Sequence, residues 1–99
     1  MIWKYSIVVE GSGIRVESED ESMIGFFANR VLWASDTKAA ISKAEALILD
    51  DWTHGSYRDM NTGSIPTLRV ESVISLSFFW SFFTRSQKKG YVFYPDRDS

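Results

Sequence analysis

The only histidine, His54, stands among carboxylates: Asp50 and Asp51 precede it and Asp59 follows it. Imidazole and carboxylate oxygens ligate catalytic zinc, but such sites take three protein ligands, often two of them His, held on a rigid frame. Here a single imidazole lies in the Gly- and Ser-containing stretch THGSY, so the expectation is a solvated loop residue and no metal. General acid–base work asks for two carboxyl groups that face one another with separated pKa values. Asp50 and Asp51 are adjacent, and adjacent side chains on a helix diverge by about 100°. The run Glu17, Glu19, Asp20, Glu21 reads as a solvated loop, and GSG at 11–13 lacks the Lys and the strand-to-helix setting of a phosphate loop. With no cysteine, thiol nucleophiles, thiolate zinc sites and disulfides are excluded together. No nucleophile–base pair is visible, and the sequence predicts a non-catalytic chain without a cofactor.

Arg30 is the charged residue whose setting asks for explanation, because it falls in a strand-like run among Phe27, Val31, Leu32 and Trp33. If its face is buried, it needs a carboxylate such as Glu71 on a neighbouring strand, since an unpaired internal charge is costly. On a wet face its stem would instead lie across the aromatic rings. Arg30, with Asn29 beside it, is the candidate contact for an anion or small molecule in a pocket between helix and sheet.

The second unusual stretch is FFWSFF, five aromatic rings in six positions. The apolar-rich run 73–83 carries Ser75, Ser77 and Ser81 and is far short of the ~20 residues a spanning helix needs. As a strand it would turn Phe78, Trp80 and Phe82 to one face and Phe79 and Phe83 to the other, so a single sheet face cannot bury it. Aromatic rings are ordinary core material, but exposed clusters of them mark contact surfaces. Phe78, Phe79, Trp80, Phe82 and Phe83 are therefore the candidate interaction surface, with a homodimer or another protein as partner. A membrane contact through these rings, flanked by Arg85, Lys88 and Lys89, is the less favoured alternative.

The elements that would position these residues follow from periodicity. In WKYSIVVE, Trp3, Tyr5, Ile7 and Val9 alternate with Lys4, Ser6, Val8 and Glu10, the pattern of a strand with one buried face. GSG reads as a turn, IRVES as a short further strand and 17–23 as a loop. GFFANRVLWAS, residues 25–35, reads as a strand. At Asp36 the period changes to 3.6, with apolar residues at 40, 41, 44, 47 and 48 and Lys38, Lys43 and Glu45 opposite. Asp36 has the acceptor a helix N-cap needs, and the helix should end near 50–52. Residues 53–66 show no period. TLRVESVISLSFF alternates as a strand with Leu68, Val70, Ile74, Leu76 and Phe78 on one face and Ser72 as its polar intruder, and YVFYP is a last strand stopped by Pro95.

Three blocks of this pattern resemble a family of small, uncharacterised bacterial proteins. The first is Gly25, Phe26, Phe27, then Arg30, Ala34, the capping Asp36 and Ala40. The second is Pro66, Leu68, Val70, Glu71, and the third is Gly90, Tyr91, Phe93, Tyr94, Pro95. The resemblance implies a shared fold and carries no assigned activity or catalytic residue. The sequence departs from that family at SFFWSFF, which is usually less aromatic, and at its start, which lacks a longer Gly-containing loop.

Ninety-nine residues support one domain, 1–99, of α+β class: one helix packed on a mostly antiparallel four- to five-stranded sheet. A net charge of −2 with scattered Lys and Arg offers no basic stripe for nucleic acid. The N-terminus has no signal-peptide pattern, so a cytoplasmic location is expected. The reading is a small domain acting by protein–protein contact, self-associating through its aromatic-rich strand region, with a toxin-neutralising immunity-type role within that class. The alternative is a small-molecule or anion binder.

Overall fold

The computed structural model describes residues 2–76 and 90–96. It is an α+β domain: β1 (Trp3–Glu17), β2 (Ser22–Ala34), α1 (Thr37–Thr53), the short α2 (Tyr57–Met60), β3 (Thr67–Leu76) and β4 (Gly90–Pro95). The four strands form one open antiparallel sheet in the order β3-β1-β2-β4. The long β1–β2 hairpin is its centre, running from Trp3 opposite Ala34 to Glu17 opposite Ser22.

The predicted alternation in β1 holds for Tyr5, Ile7 and Val9, which are buried, and fails at its start, where Trp3 is exposed and Lys4, expected on the wet face, is buried. In β2 the inward set is Phe26, Ala28, Arg30 and Ala34. One face of the sheet is covered by α1, whose buried residues Ala40, Ala44, Ile48 and Trp52 recur every fourth position. That spacing builds a single stripe along the helix, and full burial of a side chain such as Ile48 contributes ~1.5–3 kcal/mol. The small Ala40 and Ala44 let the helix approach the strands closely. Leu47, expected inward from the period, is instead half exposed. Asp36 caps α1 as its position predicts: its Oδ1 accepts from Ala39 N–H at 2.8 Å.

Two irregularities change the expected strands. GSG is not a turn: β1 runs through it, and its register against β2 shifts between Ser12 and Val16. Gly13 holds φ +89°, a conformation open to glycine at no steric cost. Gly11 lies opposite Phe26, whose ring occupies the space a Cβ would take. Past the bulge, the segment after α2 pairs with β1: Thr62 N–H donates to the Arg15 carbonyl at 2.8 Å, and Arg15 N–H donates to Asn61 Oδ1 at 2.9 Å.

The second irregularity lies in β3. Val8 stands opposite Ser72 but Val9 stands opposite Val70, so Glu71 is an extra residue. The bulge turns Val73 inward against Ile7 and sends Ser72 and Ile74 to the other face, which corrects the simple alternation expected there. The polar intruder Ser72 is thereby removed from the core.

An aromatic group closes the core under the C-terminal end of α1. Trp52 stacks on Phe26 at 5.2 Å and on Tyr57 at 4.8 Å, while Tyr91 meets Phe26 edge-on at 5.0 Å. Such pairs contribute ~0.5–1.5 kcal/mol beyond their burial.

Candidate functional site

Adjacent residues on a strand point to opposite faces, and this separates the two residues that the sequence paired. Arg30 points under the helix; Asn29 points to the face that the helix does not cover. They do not form one anion site.

Arg30 is 6% exposed. Its partner is Asp51 on α1, Nη2 to Oδ2 at 3.1 Å, and its Nη1 donates to the Asn29 carbonyl at 2.8 Å. Glu71 cannot serve, because β1 lies between β3 and β2; Glu71 instead pairs with Arg69 at 2.9 Å. The Tyr91 hydroxyl donates to the same Asp51 Oδ2 at 2.6 Å, and the guanidinium lies 5.0 Å from the Tyr91 ring centroid. Burial first, then this hydrogen bond to Asp51, raises the Tyr91 phenol above its ordinary value, and the positive charge of Arg30 opposes part of the rise. Trp52 Nε1–H is buried without a hydrogen-bond partner among the described residues, yet it lies near enough to the phenol to oppose the rise a little further.

A hollow of about 240 Å³ adjoins this cluster, lined by Arg30, Leu47, Asp50 and Asp51. Two carboxylates against one already paired guanidinium make its rim unfavourable for an anion. The divergence of the two acids is as expected: Asp51 turns to the sheet, while Asp50 turns to His54, 3.2 Å from its Nδ1. His54 is the exposed C-cap of α1 and takes no part in the cluster.

The other face is of a different kind. By register it carries Lys4, Ser6, Val8 and Glu10 of β1 and Phe27, Asn29, Val31 and Trp33 of β2, flanked by Ser72 and Ile74 of β3 and Val92 and Tyr94 of β4. Four large apolar side chains on it are open to solvent: Phe27 at 40%, Trp33 at 50%, Ile74 at 55% and Val92 at 70%. Val8, Phe27, Asn29 and Val92 surround a hollow of about 310 Å³ whose rim includes Gly90. Asn29 Oδ1 accepts from Ser6 Oγ–H at 3.1 Å on its floor.

The charges of this face gather at its ends. At one end Lys4 Nζ lies 5.8 Å from the Trp33 ring centroid. At the other, Tyr94 O–H donates to Glu10 Oε2 at 2.8 Å, Arg69 approaches Glu10 at 4.0 Å, and Glu71 holds Arg69. Partial burial first, then the hydrogen bond and charge of Glu10, raises the Tyr94 phenol.

The aromatic candidates Phe78, Phe79, Trp80, Phe82 and Phe83 lie outside the described residues. The exposed set that the structure does show was not singled out by the sequence reading. The alternation of β2 held the signal, since it splits Phe27, Asn29, Val31 and Trp33 from Phe26, Ala28, Arg30 and Leu32. Ile74 was hidden by the bulge.

Among the described residues no group of three or more His, Cys, Asp or Glu could hold a metal ion. None of their helices is long and apolar enough to cross a membrane. No family model, curated protein or solved structure matches the chain.

Proposed function

We propose that this domain acts by binding a protein partner on the face of its sheet opposite α1, and that it performs no chemistry of its own. The observation that carries the reading is the gathering of Phe27, Trp33, Ile74 and Val92 on that one face, all substantially exposed. Single exposed apolar residues are normal on a surface, but several large ones on one sheet face, two of them aromatic, are the composition of a contact surface. The hollow beside Asn29 adds a place where one partner side chain can seat, with an amide to hydrogen-bond it. The Arg30 cluster serves the fold: its charges satisfy one another, so it holds helix to sheet. A cytoplasmic, immunity-type role, in which the face covers a toxin, belongs to this reading, as does kinship with the small bacterial proteins that the three sequence blocks resemble.

The test is cross-linking of the tagged chain in cells, beside an Ile74→Lys/Val92→Lys variant. Both side chains are exposed, so the variant should fold, as circular dichroism will check. A cross-linked species in the native chain that the variant loses supports the reading. Identical behaviour of the two chains would sink it.

A further inference from the structure

We draw no further inference here: the strongest candidate, the face of the sheet opposite α1 with its exposed Phe27, Trp33, Ile74 and Val92, is the surface already proposed to bind a protein, and nothing among the described residues shows what covers it.

Discussion

At the scale of single residues, the buried pair Arg30–Asp51 is the point where loss of one partner costs more than loss of both. Asp51→Ala leaves a guanidinium that is 8% exposed without its carboxylate. Water reaches the Asp51 side of the pair, so the expected loss is ~2–3 kcal/mol, toward the low end for a broken internal pair. Arg30→Met removes the charge while keeping an unbranched chain, and should cost ~1 kcal/mol or less. Urea denaturation of the two variants and of the double variant checks this order. Tyr91 gives a pH dependence. Its phenol is raised in the folded protein, while an unfolded tyrosine ionises near ~10. Above that value the unfolded chain binds fewer protons than the folded one, so stability falls with rising pH, by up to ~1.4 kcal/mol per unit for one group. The contribution is complete below pH ~10 and is lost above it; Tyr91→Phe should flatten the decline between pH 10 and 11, and the raised Tyr94 should keep part of it. The need of Arg30 for a carboxylate was legible in the sequence. Its identity was not, because Asp51 is brought near by the docking of a helix 21 positions away, which local pattern does not encode.

At the scale of elements, helix α1 was legible because period and cap agree: the change of period at Asp36 coincides with a side chain able to close the first turn. The strands fail where a bulge intervenes. GSG has turn composition, yet Gly11 is required in mid-strand because the Phe26 ring lies across it. Gly11→Ala would force that ring out of the core and should destabilise by ~2 kcal/mol or more, within the range of overpacked sites. A Cβ at Gly90 meets nothing within 4 Å, so Gly90→Ala should change stability by ~0.5 kcal/mol or less, the ordinary surface effect. Thermal denaturation of the two alanine variants makes the comparison. The short α2 was not foreseen, since four residues give no period to read.

At the scale of the whole molecule, α+β class followed from the sequence of periods, but strand order did not. Both edge strands pair with the central hairpin across long sequence intervals: β3 with β1, and β4 with β2. Such closures carry a chain-entropy cost before any contact rewards them. The β1–β2 hairpin needs only the turn between Glu17 and Ser22 and is flanked on both sides. Amide exchange should therefore be slowest in its middle, around Ile7 and Ala28, and faster in β4, the shorter edge strand. Equal protection in β4 and the hairpin would contradict this ordering. The composition of the sheet face opposite α1 was not legible, because which side chains of β2, β3 and β4 face outward depends on register and on the bulge in β3.

The extra residue in β3 also makes position 71 a place where the chain can change length. Loss of one residue from a regular strand exchanges its two faces, so an excision at Val8 in β1 should abolish folding. Excision of Glu71 instead leaves Val70, Ser72 and Val73 in plain alternation opposite Val9, Val8 and Ile7. The shortened chain keeps every core side chain in place and gives up mainly the exposed Arg69–Glu71 pair, a loss of ~1 kcal/mol or less. Relatives of this domain, wherever they are met, can be expected to differ by one residue here and not in the neighbouring strand.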